Sequence, residues 1–230
     1  MAEVILALDL PTASEALRLL DRLTGLRWVK IGSILMTREG PDLVRALNNR
    51  GLRVFLDLKW HDIPNTVAGA VKAARDIGAA MATVHTLGGR AMLEAAAVAA
   101  GGELAILGVT VLTSHDSTGY ARAVGRAGVD ILGEVERQAV IAGEAGLQGV
   151  VCSPQEVSLL RGRLGPELSL VVPGIRGQSD AGSDQVRVAT ARDAVASGAT
   201  HLVVGRPVLQ AADPALAFKE LLEEARCIDC

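Results

Sequence analysis

Apolar residues along this chain fall into short runs, separated by longer stretches in which they recur every three or four positions. The runs read as strands and the stretches as helices, because side chains repeat on one face every two residues in the first case and about every 3.6 in the second. Runs rich in Val, Ile and Leu occupy 4–8, 28–31, 53–58, 81–85, 104–112, 149–152, 168–172 and 202–205. Helical spacing covers 13–23, 41–49, 65–77, 90–100, 131–145, 154–163, 191–197 and 214–226. Thr12 stands where an N-cap belongs, and Gly51, Gly78 and Gly101 stand where helices should stop.

Runs such as LAILGVTVL and HLVVG are apolar throughout rather than alternating, which implies strands covered on both faces and therefore a parallel sheet. Eight strand–helix units in 230 residues predict an α/β fold, a single (β/α)8 TIM barrel spanning 1–230, since such barrels take about 250 residues. No Pro/Ser-rich linker divides the chain. An open flavodoxin-like sheet is the runner-up, although it would usually need fewer strands.

Half the residues are hydrophobic but only 2% are aromatic, so the interior must be filled mainly by Ala, Val, Leu and Ile. A net charge of −3, with no dense run of Lys or Arg, argues against a nucleic-acid or anionic membrane partner. The N-terminal apolar run is stopped by Asp9, too early for a signal peptide or a spanning helix, and a soluble cytoplasmic protein is expected. Cys152, Cys227 and Cys230 are odd in number and do not suggest a disulfide framework. The terminal C-x-x-C lacks further ligands nearby and reads as incidental thiols.

In a barrel of this kind the working face lies at the C-terminal ends of the strands. Those ends carry Asp9, Lys30, Asp57, Lys59, His85, Thr113, Ser153, Arg176 and the pair Gly205-Arg206. Asp57 and Lys59 are two apart on an extended segment, so they should leave the same face and join Lys30 and Asp9 in an Asp–Lys–Asp–Lys array. A single exposed ion pair on a rim contributes only about 0–1 kcal/mol and signifies little. Four such charges at successive strand ends point instead to a functional cluster. Across the rim, PGIRGQSDAGSDQVR at 173–187 has the composition of a mobile loop, and Gly205 with Arg206 suits a phosphate better than a plain turn.

The segment DLKWHDIPNT at 57–66 fits the pattern D-x-K-x-x-D-I-P-x-T, and around it stand LALD, VKIG, VTVLTS, VPGIR, Gln185 and VVGRP. In these motifs, over most of its length, the sequence resembles the orotidine 5′-phosphate decarboxylase family. The resemblance implies conversion of orotidylate to UMP and CO2 in pyrimidine biosynthesis, without cofactor or metal, by a homodimer with shared active sites. Lys30, Asp57, Lys59 and Asp62 then match the charged catalytic network, with Asp62 supplied across the dimer interface. Asp9 matches a residue on the ribose or base side, and Ile63, Pro64, Asn65 and Thr66 fall in the shared substrate-binding segment. Thr113 matches a pyrimidine contact, and Arg176, Gln185, Gly205 and Arg206 match the phosphate grip.

Loss of CO2 from C6 of orotidylate leaves an electron pair that no neighbouring carbonyl delocalises, and the chain has no obvious cofactor motif to accept it. The Lys59 ammonium is the natural group to stabilise that charge and then donate a proton. Asp57 and Asp62 would keep Lys59 cationic, and Lys30 would hold Asp57 ionised. Repulsion between Asp57 and the substrate carboxylate is a lesser effect: at about 4 Å and an effective dielectric of 20 it amounts to roughly 4 kcal/mol. Enzymes typically lower barriers by about 8–23 kcal/mol. His61 reads as a packing or hydrogen-bonding residue. Magnesium-dependent sugar-phosphate barrels resembling 3-keto-gulonate-6-phosphate decarboxylase or hexulose-6-phosphate synthase share the D-x-K-x-x-D strand, but would be expected to carry an acid in place of Lys30. A non-catalytic nucleotide-binding barrel would be expected to lose Lys59 or an acid.

Overall fold

The computed structural model describes residues 2–176 and 187–226. Each expected apolar run coincides with or overlaps a strand: β1 Glu3–Ala7, β2 Trp28–Gly32, β3 Arg53–Trp60, β4 Met81–His85, β5 Ala105–Val109, β6 Gly149–Val151, β7 Ser169–Val172 and β8 His201–Val204. They pair in chain order and β1 closes on β8, all parallel, so the barrel is formed and the open-sheet alternative is not.

The helices are α1 Ala13–Leu20, α2 Ser33–Glu39, α3 Pro41–Asn49, α4 Pro64–Asp76, α5 Arg90–Ala100, α6 Ser117–Ala123, α7 Ile131–Glu144, α8 Val157–Leu164, α9 Ala191–Ala196, α10 Arg206–Leu209 and α11 Pro214–Arg226. Local chemistry sets several starts. The Thr12 hydroxyl accepts from the Glu15 N–H at 3.3 Å, and proline begins α3, α4 and α11, where a missing N–H costs no helical bond. Among the described residues, no helix is long and apolar enough to cross a membrane.

Three differences from the expected elements have physical causes. The first helix stops at Leu20 rather than 23, because Arg22 and Leu23 donate to Leu19 and Leu20 and tighten the end into 3₁₀-type turns. The apolar run 104–112 is a strand only to Val109, because the Thr110 hydroxyl turns to Val151 O at 2.9 Å and the Val111 and Leu112 carbonyls accept from Arg187. The helices α2 and α6 were not anticipated; each has seven residues, too few turns to display a period.

Strand alternation builds two cores. Outward residues such as Leu6, Val29, Leu56, Ala82 and Leu202 pack against the helices, while Ile5, Trp28, Phe55, Met81, Leu107, Val171 and Val203 fill the barrel. The floor is closed by Arg53 over the Trp28 ring at 4.2 Å and by the His201 ring set edge-on to Trp28. Following the inward columns upward, Ile5 and Ala7 lead to Asp9, Trp28 to Lys30, and Phe55 to Asp57. An apolar base therefore delivers charged side chains to one mouth.

Candidate active site

A cavity of about 820 Å³ opens at that mouth. Its base is apolar, with Ala7, Phe55, Val109, Val151 and Val203. Asp9, Lys30, Asp57 and Lys59 line the β1–β3 side, while Thr113, Arg176, Gly205 and Arg206 line the part of the wall that follows β5, β7 and β8. Gly205 comes close enough that an added Cβ would stand 3.5 Å from Ala7 Cβ and 3.7 Å from Asp9 Oδ2.

The four charges form a continuous chain. Lys30 Nζ lies 3.2 Å from Asp9 Oδ1 and 3.5 Å from Asp57 Oδ2, and Lys59 Nζ lies 2.8 Å from Asp57 Oδ1. Lys30 and Asp57 are largely withdrawn from water, with side chains 11% and 15% exposed, whereas Lys59 at 38% reaches into the cavity. Burial, the largest influence on Asp57, pushes its pKa up. The charges of Lys30 and Lys59, with hydrogen bonds from Lys59 and Thr83, outweigh it and hold the carboxyl below its ordinary value.

The backbone that delivers Lys59 is not the regular strand that alternation suggests. Register slips between β3 and β4: Leu56 pairs with Ala82 and the next pairing is Trp60 with Val84. Lys59 takes up the slack with φ of 52°, the one positive φ outside glycine among the described residues. Such a conformation costs a lysine about 1–3 kcal/mol and persists only where the surroundings enforce it. Here the Thr83 hydroxyl accepts from the Lys59 N–H at 2.8 Å and lies 3.1 Å from Asp57 Oδ1.

At the end of β4 the His85 ring stacks on His61, with centroids 5.6 Å apart. Burial first, then the neighbouring His61 and Lys59, lower the His85 pKa. Ser153 is fully buried behind the cavity, its N–H donating to Glu156 Oε2 at 2.7 Å. Glu156 also pairs with the buried Arg187.

Of the residues expected at the site, eight therefore line one cavity: Asp9, Lys30, Asp57, Lys59, Thr113, Arg176, Gly205 and Arg206. Asp62, Ile63, Pro64, Asn65 and Thr66 do not line this chain's cavity; all five are exposed at the start of α4. Ile63 is 66% exposed although apolar, and Asp62 Oδ1 accepts from its N–H at 2.6 Å. Gln185 and most of the 173–187 loop lie outside the described residues, as do Cys227 and Cys230.

The sequence model of the orotidine 5′-phosphate decarboxylase / HUMPS family matches residues 2–221. This chain belongs to that family. An orotidine 5′-phosphate decarboxylase of Halorhodospira halophila is 50% identical over 225 residues, covering 96% of this chain and 94% of that protein. One from Alkalilimnicola ehrlichii is 51% identical over 232 residues, covering 99% and 98%. Among solved structures, an orotidine 5′-phosphate decarboxylase from Lactobacillus acidophilus superposes with a TM-score of 0.88 at 33% identity, covering 99% of this chain and all of that one. Family membership thus rests on the whole barrel and not on the D-x-K-x-x-D segment alone.

Two residues beside the cavity were missed by sequence reading, Thr83 and Arg187. Thr83 carried a usable signal, since it follows Met81 and precedes His85 on the inward column of β4. Arg187 carried none, because its partners Glu156, Val111 and Leu112 are remote in the chain.

Proposed function

We propose that this protein is an orotidine 5′-phosphate decarboxylase, a carboxy-lyase that converts orotidylate to UMP and CO2 in pyrimidine biosynthesis. The observation that carries the reading is the Asp9–Lys30–Asp57–Lys59 chain along the wall of a cavity that also holds Arg176 and Arg206. A volume of about 820 Å³ falls in the range of roughly 300–1,000 Å³ that small-molecule sites occupy.

In the proposed reaction the phosphate is held by Arg176, Gln185, Gly205 and Arg206, the pyrimidine by Thr113, and the ribose or base side by Asp9. The C6–carboxylate bond breaks heterolytically, CO2 leaves, and the electron pair remains on C6. Lys59 stabilises that charge and gives one Nζ proton to C6, and the neutral amine is reprotonated from solvent. Asp57 holds the ammonium in place and favours its charged form before the step. Binding energy from the unreactive phosphate helps organise the charged groups.

Asp62 and the segment Ile63, Pro64, Asn65 and Thr66 would complete the site of a second copy in a cytoplasmic homodimer built from single-barrel chains. Their exposure, and that of the apolar Ile63 in particular, supports this arrangement. No cofactor or metal enters the proposal. Lys30 places an ammonium where a magnesium-binding relative would be expected to present an acid, which favours orotidylate over a sugar-phosphate enediolate chemistry.

An orotidylate decarboxylation assay, followed by the ultraviolet change as the carboxylate leaves and run with and without a chelator, tests substrate and metal independence together. Turnover unaffected by chelator is expected. Protein that binds UMP but leaves the orotidylate spectrum unchanged would indicate a nucleotide-binding barrel, and turnover abolished by chelation would indicate a metal-dependent relative.

A further inference from the structure

Thr83 occupies an unusual position in the barrel ladder. Leu56 pairs with Ala82 and Trp60 with Val84, so Asp57, Leu58 and Lys59 lie opposite Thr83 alone. Three residues facing one leave β3 with an amide that the ladder no longer serves. That amide belongs to Lys59, and the Thr83 hydroxyl accepts from it at 2.8 Å.

The same hydroxyl has one proton to give, and Asp57 Oδ1 lies 3.1 Å away to receive it. That carboxylate oxygen also receives Lys59 Nζ at 2.8 Å. One hydroxyl therefore closes a ring through the backbone of Lys59, its ammonium and the carboxylate that holds the ammonium. Thr83 is fully buried, so water does not compete for either bond.

We propose that Thr83 is a positioning residue for decarboxylation, whose hydroxyl holds Lys59 in its bulged, left-handed conformation and aims the ammonium at the reacting carbon. This rests on the decarboxylase reading. Valine keeps the shape and β-branching of threonine but has neither the acceptor for the Lys59 N–H nor the donor for Asp57, so Lys59 is free to relax toward regular strand. Serine keeps the hydroxyl and loses only a methyl. A displacement of about 1 Å at a catalytic group can reduce turnover roughly 100-fold.

The test is steady-state kinetics with orotidylate on the wild type, Thr83→Val and Thr83→Ser, together with hydrogen exchange at the Lys59 amide followed by NMR. Thr83→Val should lose kcat on the order of 100-fold with KM nearly unchanged, since the residues proposed to hold the phosphate follow β7 and β8, across the barrel from Thr83 on β4. Thr83→Ser should stay near the wild type, and Lys59 amide exchange should accelerate in the valine variant alone. Wild-type kcat in Thr83→Val would overturn the proposal. So would equal losses in both variants, which would assign the effect to packing, or a rise in KM with kcat intact. A wild type that does not turn over orotidylate would refute the decarboxylase reading instead, and unchanged exchange in Thr83→Val would still refute the hold on Lys59.

Discussion

Lys59 Nζ and Asp57 Oδ1 meet at 2.8 Å across a register slip, not along a regular strand. The acid is almost fully enclosed and the amine reaches into the cavity, so the pair holds a charge in place with its outer end available to a substrate. Lys59→Ala would remove the group proposed both to stabilise the carbanion and to protonate it. Either role alone is typically worth about 10²–10⁴-fold, so decarboxylation should fall by at least that much, and essentially to background if both reside in Lys59. UMP affinity, measured by calorimetry, should change far less, because Arg176 and Arg206 remain. Full turnover in this variant would remove Lys59 from the mechanism.

Arg206 begins α10 directly after Gly205 and lines the same cavity as Lys59. A guanidinium can grip phosphate through two parallel hydrogen bonds, which a truncated side chain cannot replace. For Arg206→Ala, kcat/KM for orotidylate should drop on the order of 100-fold or more while the thermal midpoint stays close to the wild type. Unchanged kcat/KM would place the phosphate elsewhere.

Asp62 points to a test that one chain alone cannot provide. If it serves the neighbouring site, Asp62→Ala and Lys59→Ala homodimers should each be nearly inactive, yet mixing them after dissociation should restore activity. In a hybrid dimer one site carries both defects and the other carries neither. Equal mixing yields hybrids as about half of all dimers, so roughly a quarter of wild-type activity should return. No recovery from a demonstrated hybrid would confine Asp62 to its own chain.

The barrel was legible because its information is periodic: eight continuous apolar runs allow little else, and the inward columns that begin with Ile5, Trp28 and Phe55 can be followed by counting to Asp9, Lys30 and Asp57. What counting could not supply was the slip after Leu56. Regular alternation and the observed bulge both turn Asp57 and Lys59 toward the cavity, so the sequence pattern reads the same in either case and only the shifted pairing and the φ of 52° at Lys59 separate them. Thr83 was passed over for a related reason, because a threonine in a buried strand usually signals β-propensity. The early end of β5 depends on Arg187, whose contacts at Val111 and Leu112 bridge 76 and 75 residues of chain and leave no local trace.

His201 makes the base of the barrel sensitive to acid. Burial first, and the Arg53 guanidinium second, push its imidazole from 6.5 down to about 4. As pH falls through 6.5 the unfolded chain binds a proton at this residue that the folded barrel refuses until near 4, so stability present at neutral pH is lost across that window and not below it. Each unit of separation is worth about 1.4 kcal/mol, which puts the loss between pH 7 and 4.5 at roughly 2 kcal/mol. His85 is also lowered and adds to the same window, so the two are separated by substitution. Glu134, held down at about 2 chiefly by its hydrogen bond with Arg137, loses its contribution only at more acid pH. Urea unfolding at pH 7 and 4.5 should therefore show a smaller decline for His201→Gln than for the wild type, by about 2 kcal/mol. Equal declines would mean that His201 is protonated as readily inside the barrel as in water.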